Sequence, residues 1–311
     1  DLLQVNGHIE PEISRVQGGQ SYEQRAQLFR GTGSQPAFIE VPASELGDLA
    51  APIVGRAASS ADLDGDGDLD AFISCGEDDP HRVHINQGGM QGGVEGFFSY
   101  GGEQDLGNFQ GRGNALGDVD GDGDLDAFVV HDYFEPDRIY INQGNLQGGS
   151  AGEFVDSGQS LGSRRSSSVA LADLDGDGTI ELVTTQKDGL LHAFDAGPLQ
   201  EKCPNCPTDQ KLTAANHSGH VRWTFQLPPP LSDLATLDVD ADGRTELLCG
   251  SGVGKLYALK ATGGKCKILW TVDLGAGVES PVIADLDGDG KPEILVSTAD
   301  GWLHCLGRAA R

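Results

Sequence analysis

The chain has 311 residues, 48 of them acidic and 21 basic, and a formal net charge of −27. That excess argues against nucleic acid or an anionic membrane surface as a partner held by bulk electrostatics, and no apolar stretch approaches the roughly 20 residues that span a bilayer. With 46 glycines and aromatics at 6%, the composition suits tight turns and flat sheets, in a chain long enough to bury a sizeable core.

In chain order, the first fifty residues offer short strand-like pieces and one predicted helical turn, around Ser21–Ala26. Then AASSA at 57–61 leads into DLDGDGDLD at 62–70, followed by DAFISC from Asp70, RVHINQG at 82–88 and GFFSY at 96–100. The same order recurs with DVDGDGDLD at 118–126, then DLDGDGTIE at 173–181, DVDADGRTE at 238–246 and DLDGDGKPE at 285–293. Short apolar runs bounded by Gly and Asp read as buried strands. The copies start 56, 55, 65 and 47 residues apart, with about four strand-like runs per period. That spacing predicts an all-β propeller of four-stranded blades, with six partial or complete blades visible and six or seven in the full ring. Residues 1–311 read as one propeller domain, with a Pro- and Cys-containing insertion at 198–219.

Each copy is a metal-loop motif. Carboxylates at positions 1, 3 and 5 can converge on one hard cation, position 7 offers its backbone carbonyl and position 9 closes the shell. The predicted ligands are Asp62, Asp64, Asp66, Asp68 and Asp70 in the first loop, and Asp118, Asp120, Asp122, Asp124 and Asp126 in the second. The third has Asp173, Asp175, Asp177, Thr179 and Glu181, and the fourth Asp238, Asp240, Asp242, Arg244 and Glu246. The fifth has Asp285, Asp287, Asp289, Lys291 and Glu293. A flexible cage of six to eight oxygens suits Ca2+ better than Mg2+, so about five Ca2+ ions are expected. The acid at position 9 and the strands on either side exclude an EF-hand, whose last ligand sits at position 12 between helices. About 20 of the 48 acids are then ligands, and the loaded protein carries a charge of about −17.

These repeats resemble FG-GAP/VCBS repeats, the blades of the integrin α-subunit head and of many secreted bacterial proteins. The opening VNGHIEPEI…YEQRAQLFRGTG, with VGRAASSADLDGDGDLD, is more narrowly similar to propellers that accompany the ASPIC/UnbV domain; Arg30-Gly31 stands where that family has Arg-Asn. GKLYALKATGGKCKILWTVDLG at 254–275 resembles quinoprotein-type propeller strands. No Cys-Cys pair supports a quinone site, and Trp223, Trp270 and Trp302 are explained by blade packing. The resemblance implies a propeller with structural calcium and leaves activity open.

Asp1 aligns with position 9 of a loop and WLHCL at 302–306 with a third strand, so both terminal blades read as incomplete. A partner chain or a missing segment is expected to complete the ring. Weak calcium loops stay filled at extracellular calcium levels, which points to an extracellular, cell-surface or periplasmic location. Cys203 and Cys206 are close enough to pair, Cys75 and Cys249 read as buried small hydrophobes, and Asn216 heads a glycosylation sequon.

No catalytic constellation emerges. His8 reads as a structural hydrogen-bonding residue, and His81, His84 and His131 as solvated loop histidines. Glu10, Glu12, Glu77, Asp78, Asp79 and Asp132 read as solvated loop acids, and Arg56, Arg112, Arg164 and Arg165 as local charge balance. The matched Asn-Gln-Gly turns at 86–88 and 142–144 read as hairpin chemistry, with contact to sugar hydroxyls as the alternative. The functional expectation is a binding, adhesion or assembly scaffold for a protein or glycan ligand. A lectin, and behind it a calcium-dependent polysaccharide lyase, are the alternatives.

Overall fold

The computed structural model describes residues 1–7, 11–76, 79–88, 92–101, 104, 106–132, 135–144, 148–161, 165–195 and 221–307. The expectations for His8, Glu10, Glu77, Asp78, Arg164, the 198–219 insertion with Cys203 and Cys206, and Asn216 lie outside these residues. The described residues fall into two compact units, one within 1–163 and one within 164–311.

The first unit opens with β1 (Leu2–Gln4), α1 (Ile13–Val16), β2 (Gln24–Arg25), β3 (Gln27–Gly31), β4 (Phe38–Glu40) and β5 (Pro52–Ile53). Strands β1, β3 and β4 form a three-stranded antiparallel sheet, and β2 pairs with β5. The helical turn expected at Ser21–Ala26 is therefore corrected. Gln24 and Arg25 pair with Ile53 and Pro52, and cross-strand bonding outweighs an isolated turn, which is unstable alone.

Two four-stranded sheets follow: β6 (Gly55–Ala61), β7 (Asp70–Cys75), β8 (Arg82–Asn86) and β9 (Phe98–Tyr100), then β10 (Gly111–Gly117), β11 (Asp126–His131), β12 (Arg138–Asn142) and β13 (Phe154–Asp156). The second unit holds β14 (Ser166–Ala172), β15 (Glu181–Gln186), β16 (Leu190–Asp195) and β17 (Val221–Gln226). Its next sheet is β18 (Leu231–Leu237), β19 (Glu246–Ser251), β20 (Lys255–Thr262) and β21 (Lys265–Asp273), and its last is β22 (Val282–Ala284), β23 (Glu293–Ser297) and β24 (Leu303–Leu306). In these five sheets strand order follows chain order and neighbours are antiparallel, the meander of a propeller blade. The fold is thus an all-β propeller with six blades, three in each unit.

The second strand of a blade carries the core. Strands β7, β11, β15 and β19 are buried along their whole length, which is why they read as compact, mostly apolar runs rather than alternations. In the first unit Leu63, Phe72, Val83, Leu106, Ala127, Val129, Tyr140 and Phe154 pack into one cluster, with Phe72 and Phe154 edge-to-face at 5.4 Å. The first strands β6 (GRAASSA) and β10 (GRGNALG) are built of small and polar residues that let them approach closely. Ser59 Oγ lies 2.5 Å from Asn114 Oδ1, and Asn114 Nδ2 donates to the Ala57 carbonyl at 3.2 Å.

Candidate metal loops

Every motif loop joins the first and second strands of its blade, so the hairpin geometry is common to all five. Within each loop the position-1 carboxylate is wrapped by the backbone ahead of it. Asp62 Oδ1 accepts from the amides of Gly65 and Asp66 at 2.8 and 3.0 Å, and Oδ2 from Gly67 at 3.1 Å. Asp118, Asp173 and Asp285 repeat this pattern. The position-5 carboxylate accepts from the amide at position 7, as in Asp68 N to Asp66 Oδ1 at 3.0 Å. Such folding back requires left-handed backbone at positions 4 and 6, supplied by Gly65 (φ 78°) and Gly67 (φ 99°). In the fourth loop Ala241 takes that conformation at φ 59°.

The carboxylates do converge. Ligand atoms of Asp62, Asp64 and Asp66, of Asp118, Asp120 and Asp122, and of Asp285, Asp287 and Asp289 lie within 4.8 Å of one another. So do those of Asp173, Asp175 and Glu181, and of Asp238, Asp240 and Glu246. In the first two loops Asp66 Oδ2, both oxygens of Asp68 and Asp122 Oδ2 are buried atoms with no hydrogen-bond partner. Buried acceptors left bare are costly, and a hard divalent cation is the ligand such oxygens suit. The residues therefore fit calcium. Burial, with Asp66 and Asp64 nearby, pushes the Asp68 carboxyl up to about 6.

Position 9 behaves in two ways. Asp70 Oδ2 accepts from the Leu63 amide and Oδ1 from the Asn86 amide, both at 2.8 Å. Asp126 does the same with Val119 and Asn142. Both are buried, and desolvation pushes them up to about 7 and about 6. The longer Glu181 and Glu246 use Oε2 for the position-2 amide, of Leu174 at 2.8 Å and Val239 at 3.0 Å, and turn Oε1 elsewhere. Glu181 Oε1 accepts from Arg222 Nη1; Arg222 Nη2 also lies 2.6 Å from Asp175 and 2.9 Å from Asp177. Glu246 Oε1 accepts from Lys260 Nζ at 2.8 Å, and the same ammonium reaches Asp240 at 2.8 Å and Asp242 at 2.6 Å. These carboxylates, Asp240 first, hold the Lys260 ammonium well above the ordinary lysine range. Nothing in the motif itself signals either cation.

The remaining candidates are mostly spent on structure. His81, His84 and His131 are buried at 0%, 1% and 0% exposure, which corrects the reading of solvated loop histidines. The Cys75 amide donates to His81 Nδ1 at 3.1 Å, so neutral His81 carries its proton on Nε2 and donates to His131 Nε2, also at 3.1 Å. Burial holds these two imidazoles down at about 4 and about 3. Asp132 is likewise buried, 2.6 Å from Arg112, and Asp79 accepts from the Val54 amide and Arg82. They are anchors rather than solvated acids: Asp79 satisfies a backbone amide and Asp132 holds the Arg112 guanidinium. Glu12 remains exposed, paired with Arg15. Arg56 Nη1 donates to the Gly7 carbonyl at 3.0 Å.

Cys75 and Cys249 are buried as expected. Trp223 is buried too, but Trp302 is 68% exposed and precedes β24, so blade packing does not explain it. The side-chain amides of the Asn-Gln-Gly turns are used internally. Asn86 Oδ1 accepts from Gly96 at 2.8 Å, and Asn142 Oδ1 from Gly152 at 2.9 Å. Asn142 Nδ2 donates at 3.0 Å to the carbonyl of Leu63, position 2 of the preceding blade's loop. Gly88 and Gly144 lie against the position-7 carboxylates; a Cβ on Gly144 would stand 2.1 Å from Asp124 Oδ2.

A family model described as FG-GAP-like repeat matches residues 62–129, 118–184 and 238–296, more than half of the chain. No curated protein matches. Among solved structures, the V. cholerae biofilm matrix protein Bap1 is similar at 20% identity, over 81% of this chain and 36% of that one, with a TM-score of 0.44. The chain thus spans about a third of Bap1. BBS1N in complex with ARL6DN, soaked with mercury, is similar at 14% identity over 92% and 89% of the two chains, with a TM-score of 0.45. A Lactobacillus plantarum protein is 10% identical over 98% and 81%, with a TM-score of 0.51, a likeness of fold.

Proposed function

This chain belongs to the FG-GAP-like repeat family, and from that premise we propose that it is a calcium-stabilised β-propeller acting as a binding, adhesion or assembly scaffold. The observation that carries the calcium reading is the set of buried, partnerless oxygens on Asp66, Asp68 and Asp122, inside loops whose backbone is already folded around position 1. Bound Ca2+ cancels the carboxylate repulsion and ties the first two strands of a blade together. Metal binding is then coupled to folding.

The setting that suits such loops is extracellular, cell-surface or periplasmic, where calcium is plentiful. A protein ligand is favoured over a glycan, because the Asn86 and Asn142 amides, the groups suited to sugar hydroxyls, are committed to backbone groups. Among the described residues no helix is long and apolar enough to cross a membrane.

Calcium removal is the test. Protein stripped with EDTA, its metal content verified, is expected to melt well below the calcium-loaded form. An unchanged melting temperature would refute structural calcium. An affinity screen of the loaded protein against a glycan array then separates the ligand classes: competable hits would turn the scaffold into a lectin.

A further inference from the structure

We propose that the loops at 173–181 and 238–246 are not calcium sites, because the chain fills them with its own cations, Arg222 and Lys260. This rests on the calcium reading of the other loops and divides the five motif copies into two kinds. Lys260 Nζ lies 2.8, 2.6 and 2.8 Å from oxygens of Asp240, Asp242 and Glu246. Calcium holds its oxygens at about 2.3–2.6 Å, so the ammonium nitrogen occupies nearly the point at which an ion would sit. One cage cannot hold both positive charges. In the third loop the guanidinium binds Asp175 Oδ2, Asp177 Oδ2 and Glu181 Oε1 together, leaving Asp175 Oδ1 buried without a hydrogen bond, and its charge cannot be removed by deprotonation.

The register shows how the chain builds this in. The residue at motif position 10 pairs across to β8, β12, β20 and β24 at His84, Tyr140, Leu259 and Leu306. The next residue in each case is Ile85, Ile141, Lys260 and Gly307. Only the fourth loop has a cation there. The third draws its cation from β17 instead, where Arg222 is the second residue. Both self-filled loops have Glu at position 9, and in both the extra methylene brings Oε1 to the internal cation. The first two loops have Asp there, with both oxygens held by amides, and an additional acid, Asp68 or Asp124, at position 7. Among the described residues the cation paired with the fifth loop is the exposed Lys291, 2.8 Å from Asp289. A surface pair of that kind is weak and yields to a divalent ion.

Three calcium ions per chain are therefore expected, in the loops at 62–70, 118–126 and 285–293. Calcium-free protein titrated with Ca2+ and weighed by native mass spectrometry gives the count. Asp64→Asn should lose one ion and Asp240→Asn none. Lys260→Met leaves four carboxylates facing one another, so in chelator it should melt roughly 5 °C or more below wild type. Added Ca2+ should restore it and raise the count to four. Four or five ions on wild type, or an ion lost in Asp240→Asn, would overturn the assignment and leave the calcium reading standing. No ion on wild type would end the calcium reading itself. The assignment of Lys260 would then be decided by the chelator melt, where a variant as stable as wild type overturns it.

Discussion

One methylene separates the two kinds of ninth residue. Aspartate closes its loop by accepting two amides, whereas glutamate accepts one and leaves an oxygen for a cation. The acids also set a pH signature. Burial pushes Asp70 and Glu181 up to about 7, above their unfolded values. In calcium-free protein their contribution to stability is complete below the unfolded value and is lost as pH rises through 7. His81 and His131, held down at about 4 and about 3, have the opposite sign. Their contribution is intact above an unfolded value of about 6.5 and is lost as pH falls through 4 and 3. The chelated melting temperature should thus rise as pH is lowered from about 7.5 to 6.5, where the carboxyls act alone, and below 6.5 the loss of the histidine contribution should oppose that rise. Calcium, by holding Asp70 ionised, should remove that residue's share of the upper limb and leave the share of Glu181, whose loop takes no calcium; a chelated melt that is level across that limb would contradict the account. The convergence of carboxylates in all five loops was legible because the spacing of the acids alone brings them together. The internal cations were not, because Lys260 lies 14 residues from Glu246 and Arg222 lies 41 from Glu181. The histidines misled because their acidic neighbours mimic a solvated loop, while anchors such as Asp79 turn inward.

At the scale of the element, the hairpin was the readable unit. The second strand advertises itself by a compact, largely apolar run after the position-9 acid and the loop by its glycines, so β6 to β24 fall where the pattern places them. The segment before Gly55 has no motif loop to set its phase, and there a strand pairing replaced the expected helical turn. The Asn-Gln-Gly turn serves the neighbouring loop as much as its own hairpin, because its glycine lets the backbone close over the position-7 acid. Gly144→Ala should therefore cost ~1–3 kcal/mol or more by overpacking. It should also weaken calcium at 118–126, read as a lower melting temperature and one fewer ion; an alanine variant matching wild type in both would show that Asp124 can move aside.

For the whole molecule, the charge of −27 is less a surface property than a record of its loops, concentrated at hairpin ends and partly answered from within. The loops are also not joined to their own blades alone. The Asn142 amide holds the Leu63 carbonyl while its own backbone amide is held by Asp126, so one side chain reports on two loops. Such an arrangement works as a relay. Filling the loop at 62–70 should slow hydrogen exchange at the Asn142 and Gly152 amides in the adjoining blade, even when the loop at 118–126 is disabled by Asp120→Asn. Exchange that responds only to the local loop would cut the relay. If it holds, calcium entering one hairpin is a message the next one can read.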